Sequence, residues 1–222
     1  MLQETDGFWE DMLPAFRGWG ALDTLARAHE EAVMDSVAMM KQVIASTDKV
    51  VKGTDASQLG LPSPCTDWTV RDVINHITGG ATMFAVCVEE GSVPDDLLGK
   101  LMGGDNLGDD FVGAWETSST RALAAFEAPG ALDKTVKLPF GEMPAGVAIN
   151  IAVFDVLTHA ADIASATNQT IEDTALIETA LEVGHQMISA DLRVPGIYDA
   201  EQPAPEDATP TVRLLAFAGR KV

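Results

Sequence analysis

The sequence predicts an all-α protein: a four-helix bundle with an extra helix and an extended C-terminal arm. Four long stretches repeat apolar residues at helical spacing, and no two stretches alternate as a pair of strands would. Pro and most Gly fall between these stretches, which places the turns, with the Gly79-Gly80 pair an exception inside one.

Residues 1–20 read as an acidic extension carrying Phe8, Trp9, Met12, Leu13, Phe16 and Trp19, broken by Pro14 and Gly18. Residues 21–222 read as the bundle domain. The apolar groups of the extension need a cover: they either pack back on the domain or join two copies as a homodimer. The first helix spans about 22–46, with Leu22, Leu25, Ala26, His29, Val33, Val37, Met40 and Ile44 on one stripe. His29 lies on that stripe and reads as a hydrogen-bonded core histidine. A Gly- and Pro-punctuated loop, 53–67, ends in PCTDW, and Thr69-Val-Arg-Asp72 is a helix start signal.

The second helix, 70–90, buries Val73, Ile74, Ile77, Ala81, Phe84 and Val88, with His76 at the boundary between its apolar and polar sides. Gly79 and Gly80 lie one turn on, and either leave room for a ligand beside the imidazole or permit close helix packing. The acidic, Gly-rich connector 89–110 reads as solvated surface. A third helix covers 109–128, 136–141 is briefly extended, and Pro144 suits the first turn of the fourth helix. A fifth helix runs over 173–190, followed by a Pro-rich arm ending in VRLLAFAGRKV, which is too apolar to be left in water.

The fourth helix, 148–166, carries the chemistry. Val153, Phe154, Val156, Leu157, Ala160, Ala161, Ile163 and Ala164 fill one broad side; Asp155, Thr158, His159 and Asp162 fall together on the other. Asp155 and His159 are i and i+4, with Cβ atoms about 5–6 Å apart. Both could therefore reach one metal ion at about 2.0–2.2 Å. An amphipathic surface helix shows the same polar stripe with nothing bound. Asp72 and His76 repeat the spacing, so spacing alone leaves the solvated reading open.

Composition narrows the classes of partner. The 34 acidic residues outnumber 14 basic ones, for a net charge of −20 and a pI near 4.3. Nucleic acid and anionic membrane surfaces would be repelled. Cys65 and Cys87 lack paired-motif spacing, the N-terminus lacks the basic start and apolar run of a signal peptide, and no uninterrupted apolar run approaches about 18 residues. The expectation is a cytoplasmic protein with reduced thiols. There is no G-x-S-x-G, Walker loop, G-x-G-x-x-G or C-x-x-C. His29-Glu30 fails the zincin pattern because position 33 is Val.

Four stretches in register, PCTDWTVRDVINHI (64–77), LPFGEMP (138–144), DVLTHAADIA (155–164) and RLLAFAGR (213–220), resemble the DinB-like metal-binding proteins related to mycothiol-dependent maleylpyruvate isomerase. The resemblance covers about 22–220. It implies a four-helix bundle holding one divalent metal, zinc or another transition metal such as nickel. Carried over residue by residue, the ligands are His76, Asp155 and His159. The isomerase has Glu where this chain has Asp155, many relatives have an aromatic residue where this chain has Ala161, and the isomerase's further C-terminal domain has no counterpart in this sequence.

The resemblance also implies a mycothiol-type thiol as cofactor and a small substrate, anionic ones included, for an isomerase or thiol S-transferase. A non-catalytic binding or regulatory module is the competing reading. Three protein ligands leave a fourth position open, where zinc would hold a thiol as thiolate. Two neutral imidazoles and one carboxylate would leave a local charge near +1, offsetting the acidic surroundings. Asp162 is either a carboxylate orienting a ligand or a solvated residue. Cys65 precedes the second helix, and Cys87 lies eleven residues beyond His76, about 16 Å along the axis. Both read as ordinary thiols outside the metal site, Cys65 with a pKa lowered by the nearby helix N-terminus.

Overall fold

The structure is a computed structural model that describes residues 19–139, 141–188, 193 and 199–222, with side chains described from residue 36 onward. Residues 1–18, with most of the aromatic extension, and the side chains of Trp19 and His29 lie outside the described residues. The chain forms two compact units, Met1–Asp35 and Ser36–Val222, and the second holds the described core.

Helix α1 (Trp19–Lys52) runs six residues past the expected end, with Lys49 and Lys52 in its last turn, where cations favour a helix C-terminus. Within the second unit it buries Met40, Val43, Ile44, Val50 and Val51. Helix α2 (Val70–Glu90) begins at the expected signal: Thr69 and Asp72 form a reciprocal capping box, and Gly91, at φ 86°, ends the helix in the left-handed region. The acidic connector is not all solvated surface. It contains helix α3 (Asp95–Gly103), with Asp95 and Asp96 in its first turn and Leu101 buried.

Helix α4 (Phe111–Glu127) is capped by Asp110, whose carboxylate accepts from the Gly113 amide. Buried Trp115 donates its indole N–H to Asp48 Oδ1 at 2.7 Å, tying α4 to α1.

The brief extended stretch expected over 136–141 holds one strand of a pair that follows α4; the pairing itself was not expected. Strands β1 (Thr135–Leu138) and β2 (Gly141–Pro144) form an antiparallel hairpin with Thr135 opposite Pro144. Only Val136 and Leu138 point inward, too short an alternation to register against helical periodicities. Pro144 then stands one residue ahead of helix α5 (Ala145–Ala166), at its N-cap.

Helix α5 is buried on nearly all sides, including Thr158, His159 and Asp162, so most of its polar stripe faces the interior, with Asp155 half-buried at the edge. It is long and apolar enough to cross a membrane, at mean hydropathy 1.5, but 78% of that window is buried within the fold, as befits a core helix. Helix α6 (Thr174–Met187) starts at its Asp173 cap, and the apolar end of the arm becomes helix α7 (Pro210–Phe217), burying Leu214, Leu215, Ala216 and Phe217.

The described residues are thus all-α apart from the hairpin. Helix α2 packs on α4 and α5, while α6 and α7 pack on each other and on α5. Among the described residues three helices, α3, α6 and α7, supplement the bundle where one was expected.

Gly184 of α6 is the closest approach in this layer. A Cβ there would overlap the Phe154 ring and lie 2.8 Å from the Phe217 ring. Gly184→Ala is expected to cost about 1–3 kcal/mol by overpacking, read as a lower midpoint in urea with an unchanged slope.

Candidate metal centre

The loop before α2 supplies the centre's outer wall. Cys65 to Trp68 is a tight turn, closed by the Trp68 amide donating to Cys65 O at 3.1 Å, with Asp67 in the left-handed region at φ 64°. The Ser63 amide donates to Trp68 O at 2.9 Å, folding PCTDW back over the first turns of α2. Trp68 therefore lies against two imidazoles, its ring 4.9 Å from His76 and 5.7 Å from His159, nearly parallel to the latter at 18°.

His76, Asp155 and His159 meet where α2 packs on α5. One donor atom from each lies within 4.8 Å of the others. Asp155 Oδ1 is 3.5 Å from His76 Nε2 and 3.7 Å from His159 Nε2. Two donors on a tetrahedral ion, each about 2.1 Å from it, stand about 3.4 Å apart. The three side chains thus have the chemistry and nearly the spacing to hold one divalent ion. Their exposure is graded: His159 is 9% exposed, Asp155 26% and His76 30%, so the centre opens on the His76–Asp155 side.

The two glycines of α2 divide the roles between which the sequence left them. A Cβ on Gly79 would overlap Leu101 O and come within 2.7 Å of Asn106 Nδ2, so Gly79 permits α3 to pack. A Cβ on Gly80 would come only to 4.0 Å from Asp155 Oδ2, so free space faces the carboxylate there.

Behind His159 lies a buried ion pair. Asp162 Oδ2 is 2.9 Å from His159 Nδ1, and Arg220 donates Nε to Oδ1 at 3.1 Å and Nη2 to Oδ2 at 2.8 Å. Burial alone would raise the Asp162 pKa, but the bonds from His159 and Arg220 hold it below the usual carboxylate range. An ionised carboxylate only accepts, so His159 carries its proton on Nδ1 and turns the Nε2 lone pair toward the centre.

Arg220 reaches Asp162 because α7 ends in a Schellman motif. Gly219 (φ 90°) donates its amide to Ala216 O, and the Arg220 amide to Leu215 O. Asp162 is therefore an orienting carboxylate and not a solvated one. Neither Trp68 nor Arg220 was singled out from the sequence, although both stand in quoted motifs. Their signals were the indole ending PCTDW and the Gly-Arg closing an apolar helix.

Cys65 departs from its expectation twice. It comes beside the centre, grouping with His159 and Asp162 within 4.8 Å, and burial pushes its thiol up to about 11 instead of lowering it. That second group suits a cation poorly, because the Arg220 guanidinium already neutralises Asp162. Cys87 is buried, with its thiol on Lys137 O at 3.4 Å, and His185 is exposed against Phe217.

This is a small helical-bundle protein with a three-donor centre backed by a buried ion pair. The family model of the mycothiol maleylpyruvate isomerase N-terminal domain matches residues 40–164, and the chain belongs to that family. An uncharacterised protein of Mycobacterium tuberculosis strain CDC 1551 / Oshkosh is 36% identical over 173 residues, covering 75% of this chain and 87% of the relative. Its counterpart in strain ATCC 25618 / H37Rv matches equally.

Among solved structures, the mycothiol-dependent maleylpyruvate isomerase superposes with a TM-score of 0.58 at 18% identity, covering 68% of this chain and 67% of that one. A histidine-to-alanine mutant of the isomerase has the same TM-score and coverage at 16% identity. These two structures carry the fold, which is the DinB-like bundle expected from the sequence.

In the metal-free protein, burial pulls the His76 pKa down, but the Asp155 carboxylate more than offsets this and raises it above its ordinary 6.5. Asp155 is correspondingly held at about 2: burial pushes it up, and the charge and hydrogen bond of His76, with His159 and Arg220 behind, together outweigh it. The protonated His76–Asp155 pair stabilises the metal-free fold fully below His76's unfolded pKa, and this contribution is lost as pH rises through the raised folded value. Titrating the His76 ring protons by NMR should show a pKa above 6.5, and Asp155→Asn should drop it below. Arg220→Met would leave the Asp162 charge buried with only the His159 N–H and no cation, and should cost about 3–5 kcal/mol in chemical denaturation.

Proposed function

We propose that this chain is a metal-dependent enzyme using a low-molecular-weight thiol of mycothiol type, acting on a small electrophile as an isomerase or thiol S-transferase. The observation that carries this reading is the convergence of His76 Nε2, Asp155 Oδ1 and His159 Nε2 at near-tetrahedral spacing, with one side open. The names of the family and of the solved isomerase support the thiol.

His76, Asp155 and His159 would hold the ion, and two imidazoles with one carboxylate suit zinc or nickel. When bound, such an ion lowers the pKa of a coordinated thiol and keeps it as a nucleophilic thiolate near neutral pH. The chain's own groups do the rest. Asp162 and Arg220 fix the His159 tautomer, so that Nε2 and not an N–H faces the ion. Trp68 packs against both imidazoles from the outer wall, nearly parallel to His159. Gly80 leaves the space beside Asp155 clear for an incoming group.

Protons compete with the ion for His76, so metal affinity should fall as pH drops through that group's raised pKa.

Metal content and thiol titration of the cobalt-loaded protein test the reading together. Wild type and His185→Ala should carry one equivalent of metal, and added thiol should produce a thiolate-to-cobalt charge-transfer band. His76→Ala, Asp155→Ala and His159→Ala should each lose most of the metal and the band. Chelation should leave the helical circular dichroism largely intact, because the bundle has its own apolar core. Full metal retention by His76→Ala would refute the three-donor centre. Global unfolding on chelation would mean a structural site, and a metal-loaded protein that binds thiol but turns over no electrophile would be a binding module.

A further inference from the structure

A cleft of about 600 Å³ opens beside the centre, walled by Asp67, Trp68, Arg71, Asp72, His76 and Asp105 among others. It shares His76 and Trp68 with the centre and so adjoins it on the open His76 side, where a ligand longer than its metal-binding head would extend. We infer that the ligand filling this cleft ends in a cationic or uncharged polar group, and that ligands ending in a carboxylate are rejected. The inference rests on the metal–thiol reading and adds to it the class of ligand.

The charges of the wall decide the matter. Asp67, Asp72 and Asp105 contribute three carboxylates. Bonds from Thr69 hold Asp72 below the usual range, and bonds from the Leu107 amide and Arg71 do the same for Asp105, so both stay ionised. The one arginine in the wall is already committed: Arg71 Nη2 lies 3.0 and 3.1 Å from the two Asp105 oxygens and 3.2 Å from Gly108 O.

The nearest basic group behind the centre, Arg220, is 13% exposed and gives both its Nε and Nη2 to Asp162. A ligand carboxylate would therefore meet two carboxylates without a cation, Asp67 and Asp72, the Asp105–Arg71 pair, and no unpaired cation among the cleft's described residues. A ligand cation would meet the same two carboxylates and the face of Trp68, an attractive surface for positive charge. The centre itself, with an ion and one carboxylate, is locally positive. The arrangement thus fits a ligand that is negative at its thiolate head and neutral or positive at its tail, in a chain whose net charge of −20 adds to the same bias.

Three small thiols differing in tail charge test this on the cobalt-loaded full chain: cysteamine, 2-mercaptoethanol and 3-mercaptopropionate, each titrated through the charge-transfer band. Because these thiols differ in basicity, the informative quantity is the ratio of mercaptopropionate to cysteamine affinity, compared between wild type and Asp67→Asn/Asp105→Asn. The variant removes two wall charges and frees Arg71, and should raise that ratio about tenfold or more. High salt should narrow the preference in wild type.

Asp67→Asn alone should raise the ratio about threefold, and keeps the test decisive if the double variant folds poorly. Asn accepts the left-handed backbone at this position. Ratios unchanged within about twofold in either folded variant would overturn the charge rule while leaving the thiol reading standing. No band with any of the three thiols would overturn both.

Discussion

A carboxylate removed entirely from water must be paired, and Asp162 is the group on which this structure turns. Its side chain is fully buried in the core helix α5, so its charge would be severely destabilising without compensation. Arg220 supplies two charge-assisted bonds and His159 a third. Each partner imposes a demand on the fold. Arg220 lies 58 residues away and reaches Asp162 only if α7 docks on α5 and then reverses sharply at Gly219. His159 is the residue that also faces the candidate metal centre. The C-terminal helix and the centre are therefore mechanically one unit, although the sequence between them is long and irregular.

Much of this was legible in the residues themselves. The T-x-x-D cap fixed the start of α2 and hence the turn on which His76 falls, and the i,i+4 pair placed Asp155 and His159 on one face. Local periodicity could not say that this face looks inward, because a stripe of Asp, Thr and His resembles a solvated surface until its partners are known. Those partners, Trp68 and Arg220, come from a loop and a chain end, and contacts at such separations leave no periodic trace. Helix α3 was missed for a related reason. Its Gly and Asp content argues for a loop, and burial of Leu101 against the bundle overrides that propensity. The Cys65 thiol departs from the expectation set by the helix N-terminus because desolvation dominates once the PCTDW turn folds inward.

The centre also shows how one side of a site is kept rigid and another left open. His159, nearly buried and hydrogen-bonded behind, has a fixed ring orientation. His76 sits closer to solvent with no comparable anchor on its other nitrogen among the hydrogen bonds described, and Asp155 is exposed to a similar degree. Rigidity is therefore concentrated on the inner donor, while the outer two are partly exposed and His76 borders the cleft. A closed structural site would be expected to bury its donors evenly, and the gradient argues for an opening that admits a ligand.

The identity of the acid at position 155 bears on how that opening is shaped. Where the resemblance places a Glu in the isomerase, Asp155 is one methylene shorter, so its oxygen reaches less far from the α5 backbone. His76 Nε2, on α2, still lies 3.5 Å from it and His159 Nε2, on its own helix, 3.7 Å, so α2 comes close enough to α5 for the shorter acid to meet both. Such an approach requires something small on the facing helix, and Gly80 stands opposite, with a Cβ position 4.0 Å from Asp155 Oδ2. A methyl group would fit there in ordinary contact, but a larger side chain would cover the carboxylate and fill the space beside the centre. The short acid and the missing side chain are thus two halves of one solution. Together they keep three donors within reach of one ion while leaving an approach to it free, and a change at either position would be felt at the other.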